Sequence, residues 1–349
     1  MKSMCVMVML AVAAMGSVAA ARQAPKNGMK IRGESMVLAG VEPGRLLFAG
    51  VVPGSIVVRS TYEPGGKDTV VYEQGRDYVV NRAQGTIARS PASRMPDFSK
   101  NMLYGQRSFD HNKFAGFGNH AFFVWVDYET SAGSPLTVPS NQSKLWHHAL
   151  AKLRAGGPFK IIVFGDSIST GGEASTEELR FPNRYADALR KRFPKARITL
   201  ENGSTGGDTT VNGLARLEEK VLTRKPDLVL VAFGMNDHNV PGYGVPLDQF
   251  EANLRQIVST IRDRTGADII LLSTFPPHPD WAFGSHQMDK YAEATKRAAG
   301  HERCAYADVY SVWAKVLQRK DASSLLGNNI NHPNDFGHWL YLEALEAVR

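Results

Sequence analysis

The sequence predicts an α/β protein in which a parallel sheet is covered on both faces by helices, preceded by a smaller all-β, sandwich-like region. Three observations carry that reading. From Lys160 onward, short apolar runs alternate with helix-length amphipathic ones. Before about Thr130 the apolar residues come instead in short runs rich in valine and aromatics. Turn signals such as Pro43-Gly44, Pro53-Gly54, Pro64-Gly65-Gly66 and Gly75-Arg76-Asp77 separate those runs about every ten residues. The first pattern belongs to a doubly covered parallel sheet, and the second to antiparallel strands joined by tight turns.

In the early half the strand candidates are Met36–Leu38, Leu46–Phe48, Ser55–Val58, Thr69–Tyr72, Tyr78–Val80 and Phe122–Val126. In the later half they are Lys160–Phe164, Arg197–Glu201, Leu228–Phe233, Asp268–Ser273 and Cys304–Val309. The helices expected between and after them are Glu177–Arg192, Val211–Leu222, Leu247–Arg262, His286–Ala299 and Asp335–Ala347. Residues 131–135 and 139–143 are rich in Ser, Pro and Gly and read as connecting chain. The expected organisation is a signal segment over 1–21, a β-rich accessory region over 28–135, a linker over 136–157 and the α/β unit over 158–349.

The 349 residues are 43% apolar and 21% charged, and Gly and Pro total 50 without any period. Low complexity, collagen-like repetition and wholesale disorder are thereby excluded. The formal net charge of +7 is spread along the chain rather than gathered in blocks, which describes a solvated basic surface and not a nucleic-acid footprint. Met1–Ser3 forms a short positive start, Met4–Met15 is apolar, and Gly16–Ala21 supplies small residues, the pattern of a cleaved secretory signal. The rival reading is an uncleaved anchor, and Gly16 and Ser17 interrupt the run it needs. Once the signal is removed, Cys304 is the remaining cysteine, no internal disulfide can form, and no further segment is suited to membrane insertion.

In a parallel sheet, functional groups gather in loops at the carboxyl ends of the strands. Four such loops carry chemistry. Phe164-Gly165-Asp166-Ser167 puts a serine directly after a buried strand. Residues 202–210 (NGSTGGDTT) hold glycines that allow a backbone N–H to approach a ligand, and they lack the Lys-Ser/Thr ending of a phosphate loop. Phe233–Asp237 presents Asn236. Asn331–His338 sets His332 just before the last helix. Each alone also fits an ordinary cap, turn or surface residue.

Together, in this order and each after an expected strand, the four blocks resemble the SGNH, or GDSL, hydrolase family of esterases and lipase-like proteins. The resemblance covers about Phe159 to Arg349 and leaves the β-rich half outside it. It implies a flavodoxin-like α/β/α layering, with Ser167 as nucleophile and His332 as general base. The Ser167 N–H, the Gly207 N–H and the Asn236 side chain would be the oxyanion donors. Gly207 is preferred to Gly206 because it directly precedes the acidic Asp208, as the family's second-block glycine does. A serine hydroxyl is a weak nucleophile until a histidine takes its proton, and the charge developing on the carbonyl oxygen needs preorganised donors. The family's Asp three residues before the histidine is replaced here by Asn329. Three arrangements fit that departure: a Ser-His dyad helped by Asn329 or a backbone carbonyl, a carboxylate supplied from elsewhere, or a weakened enzyme. Asp335 lies in the first turn of a helix, where an acid is favoured for the dipole alone.

The loop 275–283 offers His278 and Trp281 as cleft residues, with packing of the loop as the alternative for Trp281, and His238 has weaker claims. The histidines form no short-spaced cluster with cysteine or carboxylate partners, so neither a metal nor a cofactor is expected. The resulting expectation is a secreted or periplasmic serine esterase acting on small acyl esters, acetyl foremost, of carbohydrate. A lipid esterase or lysophospholipase, and a glycan-binding protein with a weakened hydrolase half, are the rivals.

Overall fold

The computed structural model describes residues 28–349, so the expected signal segment lies outside the described residues. The first region contains β1 (Met29–Met36), β2 (Gly44–Arg45), β3 (Val57–Arg59), β4 (Val71–Tyr72), β5 (Tyr78–Asn81), β6 (Thr86–Arg89) and β7 (Val124–Thr130). They form two antiparallel sheets, ordered β1-β7-β3-β4 and β2-β6-β5. The expected strand at Leu46–Phe48 is not extended ladder; those three residues are buried behind the shorter β2. The strand pattern at Met29–Ser35 was hidden because Gly33 and Ser35 stand where apolar residues should alternate with Lys30, Arg32 and Glu34, which masks the period.

That masking has a structural cause. Between Ile31 and Glu34, β1 carries one residue more than its partner β7, pairing Ile31 with Tyr128 and Glu34 with Val126. Gly33 at the bulge has φ +61°, a conformation a side chain resists. The bulge turns Glu34 inward, where it is fully buried, accepting from the Tyr128 hydroxyl at 2.8 Å and the Leu47 N–H at 2.8 Å. Its ionic partner is the equally buried Lys320, at 2.6 Å, from the far end of the chain.

The second region holds α1 (His147–Ala155), β8 (Gly157–Gly165), α2 (Ser167–Thr170), α3 (Phe181–Arg192), β9 (Ala196–Asn202), α4 (Thr210–Lys220), β10 (Leu228–Ala232), α5 (Leu247–Thr265), β11 (Asp268–Leu272), α6 (Met288–Glu302), β12 (Ala305–Ala307), α7 (Val309–Leu317) and α8 (Asp335–Glu346). Its five strands are all parallel, ordered β12-β11-β10-β8-β9. Strands β8 and β10 are fully buried along most of their length, which explains their unbroken apolar runs. Helices α3, α8 and α7 lie side by side, as do α4, α5 and α6. Every expected later strand and helix is present, with ends shifted by a few residues. Three helices were missed, the single-turn α2 among them. The α1 helix falls in the stretch read as linker, and α7 (VYSVWAKVL), whose stripe is Val309, Val312, Trp313 and Val316, starts where the expected strand Cys304–Val309 ends; its Trp313 is fully buried and stacks on Phe275.

One apolar core runs through both regions, from Ile31 and Tyr128 to Phe336 and Leu345, with β1 packed on α8. A smaller cluster joins Leu103 and Phe109 of the first region to Trp281 and Ile330 of the second. Among the described residues no helix is long and apolar enough to cross a membrane.

Removing one member of a buried ion pair leaves the other charge uncompensated. Lys320→Met is therefore expected to lower unfolding free energy by about 3–5 kcal/mol in urea titration. The double variant Glu34→Gln/Lys320→Met should recover most of that loss, because no charge stays buried: the amide oxygen can accept from the Leu47 N–H and the amide NH2 can donate to the Tyr128 hydroxyl oxygen. Equal losses in the two proteins would contradict the pairing argument.

Candidate active site

The chain leaves β8 for β9 on one side and then crosses to β10 on the other, so the order reverses between β8 and β10. Loops part at such a reversal and leave a crevice beyond the carboxyl ends of the strands. Asp166 caps the short α2, its Oδ1 accepting from the Ile168 N–H at 2.9 Å. That cap makes Ser167 the first residue of the turn, whose N–H has no partner within the helix. Burial pushes the Asp166 carboxyl up to about 7.

Ser167 is half-buried, and its Oγ lies 2.7 Å from His332 Nε2. The two residues are 165 positions apart in sequence, and they meet because the 325–334 loop folds back over the sheet edge. Asn328 organises that loop. Its Oδ1 accepts from the N–H groups of Ile330 (3.0 Å), Asn331 (3.0 Å) and His332 (2.9 Å). Below it the Gly327 N–H donates to the His332 carbonyl, and Asn334 caps α8 through the Gly337 N–H.

The glycine loop after β9 is tied to the nucleophile's strand by the Thr205 N–H, which donates to the Gly165 carbonyl at 3.1 Å. A Cβ on Gly206 would stand 3.8 Å from Ser167 Cβ, so the loop passes directly beside the serine, with Gly207 exposed next to it. Asn236 is half-buried and donates one amide hydrogen to the Asp208 carbonyl at 2.9 Å, which fixes the side chain and leaves its second hydrogen for a ligand. Asp237 braces the same corner. Its Oδ1 accepts from the Thr210 N–H (2.8 Å) and hydroxyl (2.6 Å), and burial raises its carboxyl to about 6. Ser167, the 203–209 loop, Asn236 and His332 thus converge on one sheet edge.

Asn329 has a different neighbour from the one its spacing suggested. It is buried at φ +57°, and its Oδ1 accepts from Asn119 Nδ2 at 2.9 Å. The carboxylate facing His332 is Glu173, whose Oε1 lies 3.8 Å from Nδ1. Its other oxygen, Oε2, contacts His120 Nε2 from the first region. The His120 hydrogen bond, followed by the nearby His332 imidazole, holds the Glu173 carboxyl down at about 2, and the His120 contact raises His120. Asp335 faces away, accepting from the Ser175 N–H at 2.8 Å.

The expected cleft residues of the 275–283 loop turn inward. Trp281 is 5% exposed, and its indole N–H donates to His111 Nδ1 at 3.1 Å, so its ring packs the loop instead of offering a platform. His278 accepts from the Asp280 N–H at 3.1 Å and meets Ser323 Oγ at 3.3 Å through Nε2; burial lowers it. It lines a cavity of about 470 Å³ at the seam between the regions, which does not include Ser167. His238 is buried and bonded to the Met235 carbonyl. Among the described residues no group of three His, Cys, Asp or Glu side chains is arranged to hold a metal ion.

Sequence reasoning missed Glu173, His120, Asn119 and Asn328. The first is an isolated acid in Gly171-Gly172-Glu173, and what marks it is its φ of +65°, a backbone feature with no sequence signature outside glycine.

The α/β region is similar to known proteins. Residues 163–340, just over half of the chain, match the model of the GDSL-like Lipase/Acylhydrolase family. The chain is 34% identical over 145 residues to an arylesterase of Vibrio mimicus, spanning 41% of this chain and 67% of that protein. It is 26% identical over 213 residues to an acetylxylan esterase of Geobacillus stearothermophilus, spanning 55% of this chain and 94% of that protein. A crystal structure of an acetylxylan esterase from that organism superposes with a TM-score of 0.47 at 26% identity, covering 56% of this chain and 99% of that one. The matched segment runs from the strand bearing Ser167, through the glycine and Asn236 loops, to the helix behind His332, and on that ground the chain belongs to the GDSL-like lipase/acylhydrolase family and is a carboxylic ester hydrolase.

Proposed function

We propose that the protein is an exported serine esterase that removes acetyl or similarly small acyl groups from carbohydrate. The observation that carries the chemistry is the 2.7 Å contact between Ser167 Oγ and His332 Nε2. In this reading His332 takes the hydroxyl proton at Nε2 as Oγ attacks the acyl carbonyl. The oxyanion is received by the N–H groups of Ser167 and Gly207 and by Asn236 Nδ2. Collapse expels the sugar alcohol, which regains the proton from His332, and leaves an acyl-serine. Water activated by the same imidazole then releases the acid and restores Ser167.

The substrate reading draws support from the acetylxylan esterase relative, which aligns over nearly its whole length. It also draws on the sequence around the four blocks, which carries no long apolar lid candidate of the kind a lipid substrate would favour. Export follows from the Met1–Ala21 pattern.

Release of p-nitrophenol from its acetate ester, followed beside release of acetate from acetylated xylo-oligosaccharide and of fatty acid from a lysophospholipid, tests both levels. Ser167→Ala is expected to cut kcat by about 10⁴–10⁶-fold on every ester turned over. Asn236→Ala should cost about 10²–10³-fold in kcat, the usual loss of one oxyanion donor. Preference for the lysophospholipid over the acetylated oligosaccharide would overturn the substrate class while leaving the serine chemistry intact.

A further inference from the structure

The geometry points to Glu173 as the positioning residue for His332, replacing the acid missing at Asn329, with His120 of the β-rich region holding Glu173 in place. The inference rests on the reading of Ser167 and His332 as nucleophile and base. Side-chain geometry, backbone conformation and the bonding of the neighbouring groups all support it. Glu173 Oε1 stands 3.8 Å from His332 Nδ1, the nitrogen opposite the one that meets Ser167. That separation is an ion-pair distance rather than a made hydrogen bond, and such contacts tighten when substrate is bound. His120 Nε2 occupies the other carboxylate oxygen, so Glu173 is pinned from two sides.

The backbone is committed to the same end. Glu173 has φ +65°, a left-handed conformation that a glutamate keeps only where its surroundings fix it. Opposite it, a Cβ on Gly327 would fall 2.4 Å from Glu173 Cβ, so the histidine-bearing loop can lie against Glu173 only with glycine there. Asn329, meanwhile, is occupied by Asn119. The groups near the pair are Asp335, which raises His120, and Asp166 beneath the serine, whose carboxyl the His332 imidazole lowers. Asp335 is bonded to the Ser175 N–H and Asp166 to the Ile168 N–H, so Glu173 is the carboxylate free to serve Nδ1. During attack, His332 gains a proton at Nε2 and becomes an imidazolium, and Glu173 balances that charge at Nδ1 while fixing the tautomer.

The test compares full-length wild type, Ser167→Ala, Glu173→Gln, Glu173→Gly and His120→Ala on p-nitrophenyl acetate, with thermal melting of each. Glu173→Gln preserves shape and removes charge; kcat should fall by about 10²–10⁴-fold, with KM held within about threefold. Glycine suits the φ of residue 173, so Glu173→Gly should fold, and added formate should restore at least tenfold of its lost kcat. His120→Ala should lose about tenfold in kcat, a smaller effect because the carboxylate remains. A Glu173→Gln protein retaining kcat within threefold, while Ser167→Ala is dead, would overturn the role of Glu173. Failure of formate to restore Glu173→Gly would overturn it as well, because a merely structural glutamate cannot be replaced by a diffusing carboxylate. Activity surviving in Ser167→Ala would instead sink the esterase reading on which the inference stands.

Discussion

The position of His332 depends on one buried amide from the opposite end of the chain. Asn119 is fully buried, and its Nδ2 donates to the carbonyls of Ser323 and Leu326 and to Asn329 Oδ1, each at 2.9 Å. Its own N–H donates to the Gly327 carbonyl at 2.7 Å. Without these donors the Ser323 and Gly327 carbonyls and Asn329 Oδ1 would be left without a partner, and each such orphan is costly. The loop is therefore held by a residue that the matched family segment does not contain. Next to Asn119 stands His120, so two adjacent positions serve the fold of the histidine loop and the placement of the carboxylate beside it.

The same seam is fastened at a second point by the Glu34–Lys320 pair. Arg319 adds bonds to the carbonyls of Leu46 (3.0 Å) and Gln84 (2.9 Å) in the first region. Buried ion pairs are weak sources of net stability but strict about geometry, since a partner displaced by an ångström leaves a charge unpaired. Lys320 immediately precedes the segment that Asn119 holds. The ionic and amide contacts therefore fix both the origin and the middle of the histidine loop, and Asn334 fixes its end through the N-terminus of α8. Around the serine the logic differs. Asp166 and Asp237 brace the backbone locally, each within its own corner of the sheet edge.

What could be read from sequence follows the range of the interactions. The positions of Ser167 and Asn236 were legible because each is set by its own strand and a cap or turn within a few residues. His332 was legible because it precedes a helix with a clear start. Asn329 was misplaced as a partner of His332 because spacing along the chain stood in for distance, whereas its φ of +57° and its bond to Asn119 turn it elsewhere. Trp281 was open to two readings, and the segment that decided between them, Phe109–His111, sits 170 residues away and pairs with the loop through a single bridge. Glu173 and His120 are 53 positions apart, with nothing in either local pattern to announce the other. The elements expected in the α/β half were readable to within a few residues each, because buried parallel strands and amphipathic helices differ so plainly in period. The β-rich half was read less well, because a bulge and a buried glutamate broke its alternation.

The continuous core has a bearing on how such an enzyme can be inherited or engineered. A hydrolase segment that owns all its working groups can be moved between proteins like a cassette. Here the segment that resembles its relatives borrows Asn119 and His120, buries Lys320 against Glu34, and shares its apolar interior with Tyr128 and Val126. A cut through residues 136–157 would strip the histidine loop of its scaffold while leaving every family motif in place. Recombination that looks conservative on an alignment would then yield a chain with intact signatures and a misplaced base.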